Sequence, residues 1–303
     1  MTVSARHLLR QGPNLAGLLR GGVTAFRSRG RKGGAVATPT PAIRGTVAAP
    51  SADLIRDYLV WVGGDPSAWS GQVPHHFFPY WAFPWMGKTL EGVPYDVTRI
   101  LNGGVTLTMN RPIPVGEELQ ISAQLVSVDD DERRVLFQQR VTTGTRSAPD
   151  AQVADIRLIL PKKRKKDDAA KADDAKADAP KIVPSDAREL AQWKLKGTAG
   201  LDFALLTGDF NPIHWIPAAG RAAGFGGCIL HGYATMARAI EGVNASVFAG
   251  RIDAMQSYDV RFARPVKLPG TVGLYVGEPG TFFVGESLGA PANLLGSYIL
   301  RKD

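Results

Sequence analysis

One order of elements occurs twice along this chain: an early helix, a strongly apolar helix, then four runs rich in β-branched residues. In the first half, residues 51–63 put Leu54, Ile55, Tyr58, Leu59 and Val62 on one face of a helix. Residues 75–86 are apolar on all sides and predict a buried segment, at least partly helical. Strand-like runs follow at 105–109, 119–126, 135–143 and 153–160, divided by turn residues such as Val115-Gly116 and Asp129-Asp130-Asp131. The second half predicts helices at about 200–207 and 231–243, and strands near 254–264, 270–277, 281–287 and 291–301. Residue-by-residue similarity between the halves is weak, so the duplication is read from the order of elements alone. A helix set against several antiparallel strands, twice over, is an α+β fold.

Charge divides the chain differently. Residues 1–52 carry Arg6, Arg10, Arg20, Arg27, Arg29, Arg31, Lys32 and Arg44 and no acid, which equals the whole net charge of +8. The remainder is formally neutral, so a nucleic-acid footprint spread over the fold is not expected. Residues 1–45 read as a basic arm, with a short amphipathic helix over 5–28 interrupted near Gly12-Pro13 and a flexible or extended linker over 29–45. Three readings of the arm stand open: a segment docked on the protein's own surface, a membrane-surface or acidic-partner arm, and a transit-type presequence. Residues 161–183, a run of Lys, Asp and Ala, hold too few large apolar side chains to order themselves by packing. They read as a charged linker between an N-terminal unit, 46–160, and a C-terminal unit, 184–303.

Apolar residues at 44% and charged residues at 21% fit a globular protein. The chain has no run of eighteen apolar residues, so a spanning helix is not expected. A single cysteine, Cys228, excludes an intrachain disulfide framework and fits a reducing compartment. The expected location is therefore cytoplasmic, with peripheral membrane contact through the basic arm as one option.

The chemistry concentrates in two segments, Leu-Thr-Gly-Asp-Phe-Asn-Pro-Ile-His at 206–214 and Ile-Leu-His-Gly-Tyr-Ala-Thr at 229–235. Asp209 precedes His214 by five residues in a turn, and Pro212 disfavours helix at Asn211. Gly232 stands where a second helix opens, and N–H groups at such an end lack intrahelical partners and carry partial positive charge. A carboxylate, an imidazole and backbone donors are the equipment to add water to a polarised double bond or remove it. Taken singly, Asp209 reads as a turn carboxylate and His231 as a residue that fixes the turn. Cys228 reads as a packing residue, because nothing in the sequence supplies it with a base. Spacings of five and seventeen between Asp209, His214 and His231 match no compact metal motif, so no metal is expected.

Gly208, Asp209, Asn211, Pro212, Ile213, His214, Gly224, Phe225, Ile229, Leu230, His231, Gly232 and Thr235 resemble the motif of the MaoC-like dehydratase, or (R)-specific enoyl-CoA hydratase, family. The eighteen-residue step from His214 to Gly232 is similar as well. So is the segment 258–266, with Arg261, Arg264 and Pro265. The resemblance extends to the double-hotdog 3-hydroxyacyl-thioester dehydratases. It departs at Ile216 and Cys228, where many members carry a polar residue and a proline. It implies two hotdog units, each an antiparallel sheet wrapped around an apolar helix, with a degenerate first unit that has lost the Asp/His turn and accommodates the acyl tail. It implies Asp209 and His214 as catalytic residues, Gly232 as oxyanion donor and Asn211 as a brace for the turn. Phe77, Phe78, Trp81, Phe83 and Trp85 become acyl-pocket candidates, at least half of them plain core. It implies no separate cofactor, since the pantetheine of CoA or acyl carrier protein belongs to the substrate, and a homodimer. A hotdog thioesterase and a non-catalytic acyl-CoA-binding module are the alternatives.

Overall fold

The computed structural model describes residues 3–10, 28–31, 33–162 and 181–302. The N-terminal half contains strand β1 (Ile43–Val47), helix α1 (Ala52–Val62), β2 (Gln72–Val73), α2 (Pro79–Thr89), β3 (Leu101–Met109), β4 (Ile113–Pro114), β5 (Leu119–Asp130), β6 (Arg134–Gly144) and β7 (Gln152–Pro161). The C-terminal half contains β8 (Arg188–Leu195), α3 (Ala199–Thr207), α4 (Pro217–Ala222), α5 (Gly232–Ser246), β9 (Met255–Phe262), β10 (Gly270–Val276), β11 (Thr281–Gly285) and β12 (Ala292–Leu300). Ten strands form one antiparallel sheet in the order β1-β5-β6-β7-β3-β9-β12-β11-β10-β8. Each half contributes five strands in the same relative order, so the sheet reads alike from either edge toward its centre.

Alternation of burial produces this arrangement. β7 alternates buried and partly exposed residues along its whole length, as a strand with one face on a core must. Against that core lie the two apolar helices. Phe78, Trp81 and Ala82 of the α2 segment and Ala234, Ala237 and Ile240 of α5 are all at most 1% exposed. Small alanines on α5 let the sheet wrap closely. α1 buries Leu54, Ile55, Tyr58, Leu59, Trp61 and Val62, a repeat that keeps one helical face inward, and ends at Gly63 in the left-handed conformation.

Four strands extend the expected set: β2 and β4 pair in a small sheet of their own, and β1 and β8 join the large one. β1 crosses residue 45, where the sequence reading ended the arm, and pairs with β5. β8 pairs with β10 and was not expected. Both lie at sheet margins. β1 is short and half exposed, and β8 leaves Arg188, Glu189 and Lys194 exposed, so neither shows the apolar run by which strands are read. Of the arm, Ala5–Arg10 form a short 3₁₀ turn that docks by ion pairs. Arg6 and the buried His7 reach Asp57 of α1 at 2.9 and 2.8 Å. Arg31 donates to Val93 O at 2.8 Å. Residues 11–27, most of the expected amphipathic segment, lie outside the described residues, as do 163–180 of the expected linker. At the linker's end Val183 is fully buried beside Tyr275 and Ala292.

The halves meet at β3 and β9, with Val105 opposite Val260. Gly104 takes φ of +143° there, and a Cβ on it would stand 2.1 Å from Val260 O. Arg157 of β7 crosses the junction to Asp259 (2.7 Å) and Val260 O (2.8 Å). A second tie is buried. Glu241 of α5 accepts from His76 Nε2 at 2.6 Å and from Trp69 Nε1 at 3.0 Å, both in the N-terminal half. His76 Nδ1 in turn lies 2.9 Å from the Tyr58 hydroxyl. A buried carboxylate needs such partners, since removal from water otherwise disfavours its charge strongly.

Candidate active site

α3 stops at Gly208, whose φ of +81° is left-handed and turns the chain back at the point where Asp209 emerges. Asp209 Oδ1 accepts the Asn211 N–H at 3.3 Å, and Asn211 Oδ1 accepts the Ile213 N–H at 3.4 Å. These two bonds wind the tight turn Pro212–His214. Gly200, in the first turn of α3, supports that turn from behind. A Cβ on it would stand 1.9 Å from His214 O, so only glycine lets the two backbones approach this closely.

The second segment is held by neighbours in space. Leu230 N–H donates to Val266 O and Leu268 N–H to Cys228 O, at 2.8 and 2.9 Å. His231 caps α5, and Gly232 is its first residue. His214 Nδ1–H donates to Ile229 O at 2.8 Å, which leaves Nε2 as the free lone pair of the neutral ring. His231 Nε2–H donates to Asp209 O at 2.9 Å, tying the α5 cap to the turn that carries the carboxylate. The two imidazoles stack with centroids 3.6 Å apart, 26° between their planes. One nitrogen or oxygen from each of Asp209, His214 and His231 lies within 4.8 Å of the others.

Burial pulls the charges of this cluster in opposite directions. It pushes the Asp209 carboxyl above the usual carboxylate range, opposed by the attraction of His214. It pushes His214 below the usual imidazole value, opposed by Asp209. His231 is pushed down further, by burial and by His214. The carboxylate retains 17% exposure of its side chain, a path to solvent from an otherwise enclosed site.

Asp209, His214 and Gly232 thus lie together, with Asn211 bracing the turn between the first two. The five aromatic candidates divide. Phe78 and Phe83 face the ring of Tyr233, next to Gly232, at 5.2 and 5.9 Å. Phe77 stands against Tyr58, Tyr80 and Trp81 inside the N-terminal core. Trp81 donates from Nε1 to Thr143 at 2.9 Å, and Trp85 lies beneath Gly45 with the Lys88 ammonium 4.2 Å over its ring. Sequence reasoning missed Gly200, Glu241 and Tyr233. A tyrosine in the first turn of an apolar helix reads as core, and a glycine's close approach depends on a neighbour distant in sequence.

An Asp/His turn facing a glycine-opened helix lies in the second of two units, each a sheet wrapped around an apolar helix, as in a double-hotdog fold. Residues 189–281 match the family model of the MaoC like domain, and residues 69–156 that of the FAS1-like, dehydratase domain region. The chain therefore carries a dehydratase-type domain in each half. Over 76 residues it is 43% identical to 3-hydroxyacyl-thioester dehydratase X of Mycobacterium tuberculosis. That match spans 25% of this chain and 25% of the relative, a quarter of the relative's length. The crystal structure of HtdX from Mycobacterium tuberculosis is similar with a TM-score of 0.66 at 22% identity, over 86% of this chain and 99% of that one. A second Mycobacterium tuberculosis structure, described as a double hotdog fold, is similar with a TM-score of 0.53 at 14% identity, over 88% of this chain and 97% of that one. At these identities the likeness is one of fold.

Proposed function

We propose that the chain catalyses reversible addition of water to a trans-2-enoyl thioester, giving an (R)-3-hydroxyacyl thioester carried by CoA or acyl carrier protein. The observation that carries this reading is the meeting of the Asp209 carboxylate and the His214 imidazole, with Nε2 free, at the Gly232 helix start. Asp209 and His214 hold the water. Its oxygen bonds to the β-carbon as the pair removes one proton and delivers one to the α-carbon. The thioester carbonyl gains enolate character meanwhile and is stabilised by the Gly232 N–H, a donor with no partner inside its helix. The β-carbon is electrophilic through conjugation with the thioester, so the reaction requires no cofactor beyond the substrate's pantetheine.

In this reading residues 184–303 are the catalytic unit and 46–160 the unit that accommodates the tail, with Phe78 and Phe83 the candidates nearest the reacting end. The docked pieces of 1–45 favour the arm as a segment held on the protein's own surface. No helix among the described residues is long and apolar enough to cross a membrane. Sedimentation of the full chain tests the homodimer, and vesicle flotation tests peripheral membrane contact by the arm.

The deciding assay follows loss of enoyl-thioester absorbance with crotonyl-CoA and a long-chain trans-2-enoyl-CoA. Wild type should turn over both. Asp209→Asn and His214→Ala should each lose about 10²- to 10⁴-fold, as expected when a positioned acid/base group is removed. Release of free thiol by wild type would identify a thioesterase. Binding without turnover, indifferent to Asp209→Asn, would identify a binding module.

A further inference from the structure

Tyr233 is 3% exposed, and its hydroxyl oxygen is buried without a hydrogen-bond partner. Its ring is enclosed by Phe78 and Phe83 of the N-terminal half and by Phe262 of β9 at 5.7 Å. A phenylalanine would fill that cage as well and leave no hydroxyl stranded, and stranding one is unfavourable. The hydroxyl lies among three polar neighbours: Asn102 of β3, the Asp209 carboxylate and Arg157 of β7. None satisfies it. Asn102 Oδ1 accepts the Gly104 N–H at 3.1 Å, which holds that side chain in place. Arg157 is engaged by Thr106, Asp259 and Val260 O. The hydroxyl therefore sits between the reacting carboxylate and the opposite half of the molecule, with hydrogen-bonding capacity that the described residues leave unfilled.

We infer that the Tyr233 hydroxyl, with the Asn102 side-chain amide beside it, is a specificity-determining contact for a hydrogen-bonding group of the bound thioester, either an amide of the pantetheine arm or an oxygen substituent on the acyl chain. The inference rests on the hydratase reading above. It adds that the degenerate half recognises polar chemistry in the ligand as well as accommodating its tail. Asn102 stands in that half and Tyr233 in the other, so the contact exists only when both halves are present in one chain.

The test compares full-length wild type with Tyr233→Phe and Asn102→Ala on four thioesters. These are crotonyl-CoA, S-ethyl thiocrotonate, trans-hex-2-enoyl-CoA and trans-6-hydroxyhex-2-enoyl-CoA. If the pantetheine arm supplies the group, Tyr233→Phe should lower kcat/KM about tenfold or more on every CoA ester and leave S-ethyl thiocrotonate unchanged. If the acyl chain supplies it, the loss should appear on the 6-hydroxyhexenoyl ester and not on the hexenoyl ester. In either case Asn102→Ala should lose in the same substrate order. A ratio of variant to wild type that is equal across all four thioesters overturns the inference and leaves the hydratase reading intact. A wild type inert on all four overturns both.

Discussion

Burial disfavours the charged form of both Asp209 and His214, and their pH behaviour follows from that. Asp209 has its folded pKa raised, so its contribution to stability is present at low pH and is lost as pH rises through that raised value. His214 and His231 are depressed, so theirs is present above the ordinary imidazole value and is lost as pH falls through their folded values. Asp209→Asn removes the buried charge. It should raise the melting temperature at pH 7, and the gap to wild type should close as pH falls toward the ordinary carboxylate range. Thermal melts across pH check this, and an equal or lower melting temperature at pH 7 would refute it. For activity, kcat/KM should fall on the acid side with an apparent pKa above that of a free carboxylate, a value belonging to the Asp209–His214 pair. The pair was legible in the sequence because its residues lie within one turn, where Gly, Asn and Pro fix local geometry. Tyr233 was not, because its meaning depends on Asn102, which no local pattern links to it.

At the scale of elements, position is enforced by close backbone approach and by one buried carboxylate. Gly200 is where α3 meets the turn of His214. Gly200→Ala should shift that turn, lowering kcat/KM by roughly 10²-fold for a displacement near 1 Å. The destabilisation should be about 1–3 kcal/mol, read from urea unfolding. Full activity in Gly200→Ala would refute the support role. Glu241 holds α5 to the N-terminal half through His76 and Trp69. Glu241→Ala strands both partners and should cost about 3–5 kcal/mol, whereas Glu241→Gln, which still accepts, should cost less. Denaturant midpoints for the two variants check the order. The eight inner strands and the longer helices were legible from their apolar patterns, whereas the six-residue α4 (Pro217–Ala222) is too short to show one. β1 and β8 were not, because a strand at a sheet margin carries polar residues for reasons of solubility and so loses the pattern.

On the scale of the molecule, the two halves form one continuous sheet through β3 and β9. The junction depends on Gly104, where a side chain would meet Val260 O and where φ of +143° suits only glycine. Gly104→Ala should therefore destabilise the whole chain by at least about 2 kcal/mol, in a single cooperative unfolding transition. Two separated transitions would show that the halves are thermally independent. The near-symmetry of the sheet is not carried into the site. The place that α3, Gly208 and Asp209 occupy in one half is taken in the other by α1, Gly63 and an Asp65 bonded to Ser67, while His76 is committed to Glu241. Fusion of two similar units in one polypeptide thus sets the molecule's stoichiometry. Calorimetric titration with a non-reactive acyl-CoA analogue should return one binding equivalent per chain, with each equivalent bounded by residues from both units.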